Sequence, residues 1–473
     1  MRVIVVGGSI AGLAAGLGLS RAGHDVTIIE RDAQPLPESP EAAAISWRRG
    51  GVPQVRQSHG FVCRLRTDLL ANAPDVWFDL LDAGALELRL LEHAPQVVRE
   101  ATPEQADDEL AFLLCRRTTF EWVLRCAVEK ECSLMLGERV ESLLVDDNAR
   151  GGRVRGVATS TAEMRADLVV DASGRFGRLL SRQTEDSRPA LPTADESCGI
   201  VYASRFYRLR RGADWGPLNR LWAAGGTYGG YACVLFPHDA DTFSVNFGRL
   251  PSDSLLAAAH TTEGFTRAVA RVPFVAEWVD ADRAEPNGPP IPMAGIRNML
   301  TPQAGITGLI SIGDSVCTTD PAFGRGAAIA VSSAFALVRA VQESAGDLRA
   351  AHQIFDEWFA EQVAPWHADS VAQDRGRTAM WEGAVGGSSG QTTEAGGGSR
   401  TVTPALIAAA GMSGAEPAVW RAFVRYAGML ALPSSLFTDD VLGRVNGLVA
   451  SGWSPPAITA LDHREMAAVA ANA

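Results

Sequence analysis

Apolar positions come in short unbroken stretches at the start of the chain. Residues 2–6, RVIVV, are mostly β-branched and suit a strand buried on both faces of a parallel sheet. From Ser9 to Leu19 small residues and leucines recur at helical spacing, and strand character returns from His24 to Glu30 with Val26, Ile28 and Ile29. The pattern predicts a β-α-β unit. Two later apolar stretches end at acidic residues. One is ADLVVD, residues 166–171. The other is ITGLISI, residues 306–312, followed by Gly313-Asp314, a turn from Pro321 to Gly326 and a long helix from Ala327 to Val341.

Elsewhere the period changes. Residues 196–210 and 228–249 alternate every second position with turn residues between, which predicts antiparallel strands. Residues 346–382 are amphipathic at helical spacing and carry Trp358, Trp366 and Trp381. GAVGGSSGQTTEAGGGSR, residues 383–400, has the composition of a flexible loop, and 404–472 is again helical and alanine-rich. The expected class is α/β, with a Rossmann-like domain, an inserted antiparallel β-sheet and a C-terminal helical region. The first domain is discontinuous over 1–77, 111–185 and 297–345; residues 78–110 and 186–296 form a substrate domain; 346–473 form the helical region.

Charge and composition exclude several functions. With 473 residues and a net charge of −12, and no basic run interleaved with aromatics, neither nucleic acid nor an anionic membrane is an expected partner. Seven scattered cysteines without a C-x-x-C pair fit reduced thiols and offer no structural zinc site, so no metal is expected. Arg2 followed by an apolar run to Ser20 has the outline of a signal peptide. Glycines at 7, 8, 12, 16 and 18 work against such a helix, and the pattern passes straight into a second strand, so the expected location is cytoplasmic. Nothing in the pattern sets an oligomeric state.

The chemistry starts with GGSIAG, residues 7–12. Gly7 permits the tight turn, Gly12 lets helix and strand pack, and Ser9 takes the small middle position, leaving the amides around Ile10 and Ala11 open to a pyrophosphate. Glu30, followed by Arg31, closes the second strand where a carboxylate accepts from a ribose and disfavours a 2′-phosphate. That loop alone leaves FAD and NAD both open, as well as a glycine-rich turn without a ligand. Asp314 can accept from a polyol such as a ribityl chain, and Gly324 and Gly326 bare the amides of the helix that begins near Ala327, facing the pyrimidine edge of an isoalloxazine. NAD has no use for this second cradle, so FAD is expected. Asp171 ends the intervening strand at a small-residue turn with Arg175 and Arg178.

Together these stretches resemble the FAD-binding motifs of the single-component flavoprotein monooxygenases of the p-hydroxybenzoate hydroxylase type (class A). GGSIAG with Glu30 is similar to the first motif, Asp171-Ala-Ser-Gly174 to the middle one, and Gly313-Asp314 with Pro321-Ala-Phe-Gly324-Arg325-Gly326 to the last. The resemblance implies an FAD-binding domain of the glutathione reductase type, with NAD(P)H as reductant and dioxygen as co-substrate. It also implies a C4a-hydroperoxyflavin that hydroxylates or epoxidises a largely apolar secondary metabolite. Ala172 stands where the middle motif usually has glycine, a form similar to oxidoreductases near the halogenases and the geranylgeranyl reductases.

Residues 48–70 resemble FAD epoxidases that oxidise polyenes toward polyether antibiotics, on Arg49, Val52, Pro53, Gln54, Arg56 and His59; CRRTTFEWVLR, residues 115–125, is similar to the helix start that follows. This implies cofactor contacts from Arg49, Val52, Gln54 and Arg117, unless both arginines are surface residues. His59, on the same loop, is the candidate polar group near the reacting oxygen. Tyr202, Phe206, Tyr231, Phe236 and Phe247 on the alternating strands are candidates to wall a substrate pocket, with at most two of them touching substrate.

Three enzyme classes compete. A halogenase needs a lysine, and the sole one, Lys130, sits in LRCAVEKEC on an expected helix while W-x-W-x-I-P is missing. A reductase of the geranylgeranyl reductase-like branch is the alternative to the monooxygenase, and a non-enzymatic flavin-binding protein is a fourth reading. No second G-x-G-x-x-G unit follows a strand, so NAD(P)H binds without its own domain, or a separate flavin reductase supplies the electrons.

Overall fold

The computed structural model describes residues 1–146, 152–175, 177, 179, 193–386 and 402–472. Arg178 and positions 387–400 of the expected loop lie outside them.

A five-stranded parallel sheet is built from Arg2–Val6 (β1), Asp25–Glu30 (β2), Ser133–Leu136 (β3), Leu168–Asp171 (β4) and, late in the chain, Leu309–Ser311 (β10), in the order β10-β4-β1-β2-β3. Val3 to Val6 and all of β4 are buried, as double-sided coverage requires. Helix α1 (Ile10–Arg21) connects β1 to β2, α2 (Arg117–Glu131) precedes β3, and α3 (Gly326–Glu343) follows β10. Small residues let α1 approach closely on two sides. A Cβ on Gly12 would stand 1.8 Å from the Gly7 carbonyl oxygen, and one on Gly18 would stand 2.8 Å from Val338 of α3.

The second sheet is antiparallel. Its strands are Val201–Leu209 (β5), Ala224–Thr227 (β6), Tyr231–Pro237 (β7), Thr242–Arg249 (β8) and Ala284–Met293 (β9), in the order β6-β7-β8-β5-β9. Odd-numbered residues of β5, β7 and β8, among them Tyr207, Tyr231, Cys233, Phe243 and Phe247, close a core with Phe265, Trp278 and Met466. Even-numbered residues face the other way. Sequence pattern misses β9, AEPNGPPIPM, because it is proline-rich and polar; an edge strand tolerates both features, having one unpaired side.

Two segments pack differently from expectation. Residues 78–110, expected with the antiparallel sheet, send Leu88, Leu90 and Val98 into the core of the parallel sheet, through a hairpin of Leu86–Arg89 with Ala111–Leu114. The C-terminal helices also divide. Trp420 and Val424 of α5 (Pro417–Ala427) join that same core, whereas Met466 and Ala470 of α6 (His463–Ala471) close the back of the antiparallel sheet. The helix Ala364–Val385 (α4) runs through 383–385, where a loop was expected, its apolar contacts outweighing the glycine. No described helix is long and apolar enough to cross a membrane.

Candidate functional site

A cleft of about 400 Å³ opens between the C-terminal ends of the parallel strands and the even-numbered face of the antiparallel sheet. Strand ends in an open parallel sheet leave loops and helix N-termini converging there.

One end is built from the first turn. Gly7 has φ +108°, and a Cβ there would stand 2.3 Å from the Ala172 carbonyl oxygen, so only glycine fits. Ser9 is the N-cap of α1 but its hydroxyl makes no capping hydrogen bond, leaving the amides at Ile10 and Ala11 facing the cleft. Glu30 also lines it. Its Oε2 accepts from the Gly8 amide at 2.8 Å, while Oε1 accepts from the Asp32 amide at 2.9 Å and keeps a lone pair free. Arg31, Val52, Gln54, Ala172, Ser173 and Gly174 complete this stretch.

Beneath the turn lies a charge network. The Ser9 hydroxyl donates to Glu121 at 3.0 Å and accepts from Arg117 at 3.0 Å, and Arg117 Nε donates to Glu121 at 2.6 Å. Glu121 is fully buried. Burial alone would raise its pKa, yet the guanidiniums of Arg117 and Arg49 hold it below the ordinary value. Arg49, implied by resemblance to touch the cofactor, instead stands behind the loop, donating to Glu121, to the Gly8 carbonyl and to Glu30, with Asp32 beside it. Sequence reasoning misses Glu121, although its spacing of four from Arg117 on a helix was a usable signal.

His59 lines the cleft but cannot play the role expected of it. Its Nδ1 meets the Gln57 carbonyl at 3.0 Å, which only accepts, and its Nε2 meets Arg117 Nη1 at 2.9 Å, which only donates. One tautomer results, with the proton on Nδ1 and both nitrogens occupied. Burial and the adjoining Arg117 push its pKa down to about 3, so the ring stays neutral and fixes Arg117.

At the opposite end Asp314, Pro321, Gly324, Gly326 and Ala327 line the cleft. Gly324 has φ +68°, and a Cβ on Gly326 would meet nothing within 4 Å, so that position is open. Helix α3 also lacks a side-chain cap. Among the described residues no group donates a hydrogen bond to the Asp314 carboxylate; burial raises its pKa, with Arg117 and Arg175 opposing. Gly12, Gly313 and Asp171 lie outside the lining. A Cβ on Gly313 would strike Ala11, and Asp171, its pKa raised by burial, accepts from the Ser173 amide and hydroxyl and so shapes the Ala172–Gly174 turn.

Arg325 points away from the cleft, a correction to its expected cofactor contact. Its guanidinium is enclosed by Trp366 and Tyr426 and pairs with Asp369 at 2.6 Å, because the C-terminal helices cover that side. Of the five aromatics only Tyr202 lines the cleft. Tyr231 and Phe247 are corrected to core residues by strand parity; Phe206 and Phe236 share the cleft-side face, Phe206 stacking on His238 at 5.4 Å. That face also holds a line of hydroxyls sequence reasoning misses. Ser58, on the cleft, lies 2.6 Å from Ser244, which lies 2.7 Å from Nε2 of His238.

The donor set fits FAD. Two helix N-termini without side-chain caps and the Asp314 carboxylate, to which no described residue donates a hydrogen bond, share one cleft, as a pyrophosphate, a flavin edge and a ribityl chain require.

Residues 2–49 match the pyridine nucleotide-disulphide oxidoreductase family. A Mycobacterium tuberculosis relative, Protein Rv3254, is 28% identical over 377 residues, 72% of this chain and 72% of the relative. The flavin-dependent brominase Bmp2 superposes with a TM-score of 0.58 at 15% identity, covering 96% of this chain and 99% of that one. PqsL, a probable FAD-dependent monooxygenase from Pseudomonas aeruginosa, gives 0.55 at 15% identity over 80% and 98%, and in another structure it is in complex with 2-aminobenzoylacetate. The chain thus has the fold of the flavin-dependent oxidoreductases.

Proposed function

We propose that the protein is an FAD-dependent monooxygenase that uses NAD(P)H and dioxygen to hydroxylate or epoxidise a largely apolar small molecule. The observation that carries this reading is the convergence of two uncapped helix ends, at Ser9 and at Gly326, with the free carboxylate of Asp314 on one cleft. FAD supplies the redox and oxygen chemistry when bound. The chain's own residues hold the ADP half at Ile10, Ala11 and Glu30, and accept from the ribityl chain at Asp314. Tyr202, Met293 and Ile296 cover the cleft from the second sheet and exclude water. Ser58, Ser244 and His238 form a hydrogen-bonded line that starts at the cleft and ends at the buried His238 ring, fixing the Ser58 hydroxyl. Placement of Val52, Pro53 and Gln54 along the cleft supports the finer reading as an epoxidase. Lys130 is exposed near the end of α2 and outside the cleft lining, which disfavours halogenation. All seven cysteines are free, in keeping with a cytoplasmic enzyme.

The test is to purify the protein, read its visible flavin absorbance, and follow NADH and NADPH oxidation together with oxygen uptake, with and without an added flavin reductase. FAD-dependent oxygen consumption is expected. Turnover only in the absence of oxygen overturns the monooxygenase reading, and failure to take up FAD overturns the cleft assignment.

A further inference from the structure

A second cavity, of about 520 Å³, lies outside the flavin cleft, where the loop at 215–221 meets the segment at 90–95 and the C-terminal helices. Its walls are apolar and aromatic, from Leu90, Trp215, Leu218, Leu221 and Trp420, and Trp215 is 36% exposed. The polar lining residues are His93, Asn219, whose side-chain amide is bonded to the Gly225 backbone, and Arg220. Arginines of the fold's interior have acceptors: Arg49 pairs with Glu30 and Glu121, Arg116 with Asp239 and Arg325 with Asp369, while Arg205 donates to the Gly288 carbonyl and the Thr266 hydroxyl. Among the described residues the Arg220 guanidinium has neither an ion pair nor a hydrogen-bond acceptor. Burial lowers its pKa, and the phenol of Tyr228 alone opposes that.

Arg220 is half-buried, and withholding water from a guanidinium without a counter-charge is costly, so a fold that sets one in a cavity wall has left the anion to be supplied from outside. Two further polar atoms nearby are unsatisfied. The Tyr228 hydroxyl and the Trp222 indole nitrogen, both outside the cavity lining, are buried without a partner among the described residues. Trp222 stacks on Phe112 at 3.9 Å and sets its Nε1 against Gly60, a residue of the flavin cleft, so it forms a wall between the two spaces. Between Arg220 and Trp222, Leu221 holds φ +24°, a conformation that is strained for a non-glycine residue.

We propose that this cavity is a carboxylate subsite: it takes the acid group of a small organic acid on the Arg220 guanidinium, and its apolar body against Trp215, Leu218 and Trp420. One fixed positive charge balances one negative charge, which selects a monoanionic carboxylate over a phosphate dianion, and the planar fork of arginine matches a carboxylate in two parallel hydrogen bonds. The inference rests on the flavin reading only in making the bound acid a substrate. Its binding does not depend on FAD.

Calorimetric titration of the full chain, with FAD content read separately from visible absorbance, tests it with two matched pairs: cinnamate against cinnamamide and octanoate against octanamide. At least one acid is expected to bind about tenfold or more tightly than its neutral amide. Arg220→Gln should abolish the preference, Arg220→Lys should retain part of it, and Leu218→Trp, which fills the cavity and keeps the charge, should weaken acid and amide alike. Equal binding of acid and amide, absence of binding by both acids, or an unchanged preference in Arg220→Gln overturns the proposal. Uptake of FAD without acid binding overturns this subsite and leaves the flavin reading standing; acid binding without FAD uptake does the reverse.

Discussion

Arg117 and Glu121 face each other one helical turn apart, Nε to Oε1 at 2.6 Å, with the acid fully buried under the turn that Ser9 opens. Everything that shapes the pyrophosphate end passes through this pair, since Glu121 also holds Arg49 and Ser9, and Arg117 also holds His59. Removing the acid strands the buried Arg117 guanidinium and leaves Arg49 with the carboxylates of Glu30 and Asp32 alone. Glu121→Ala should therefore lose about 3–5 kcal/mol of stability. Chemical denaturation checks it, and a loss below about 1 kcal/mol would show that the arginines find other partners.

Ser9→Val removes the hydroxyl that bridges Glu121 and Arg117 and puts a branched side chain at the N-cap of α1. FAD affinity should fall about tenfold or more, by lost hydrogen bonds and hindered approach to the helix amides. Unchanged affinity in a fluorescence titration would place the pyrophosphate elsewhere.

Asp314 separates binding from stability. Its carboxylate is desolvated and has no hydrogen-bond donor among the described residues, so Asp314→Asn should leave the melting temperature of the flavin-free protein unchanged or raised while weakening FAD about tenfold. A melting temperature that drops would mean the carboxylate serves the fold and not a ligand.

Three histidines, His238 buried and His59 and His260 half-buried, set the acid limit of the fold. Burial is the leading cause that lowers His59 to about 3 and His238 and His260 to about 4, from an ordinary 6.5. Between 6.5 and those values the unfolded chain binds protons that the native chain refuses, so stability is lost as pH falls below 6.5. Melting temperatures measured from pH 7 down to pH 4 should decline steadily. His260→Leu, away from the cleft, should flatten part of the slope, and a profile identical to that of the parent would remove His260 from this account.

Sequence determined the features whose cause is local. A β-branched run buries on both faces wherever it sits in a parallel sheet, so β1, β2, β4 and β10 could be read directly, and glycines with an acid at the strand end marked Gly7, Glu30 and Asp314 as cleft residues. Period-two alternation announced β5, β7 and β8, but it fixes only that neighbours face opposite ways. Which parity meets the cleft was decided by what packs on each side, and α6, from the far end of the chain, helped to close the back over Tyr231 and Phe247. The same limit governed the charges. An arginine is long enough to reach either side of its backbone, so only tertiary neighbours sent Arg325 to Asp369 and Arg49 behind the loop, and left Arg220 with no anion among the described residues.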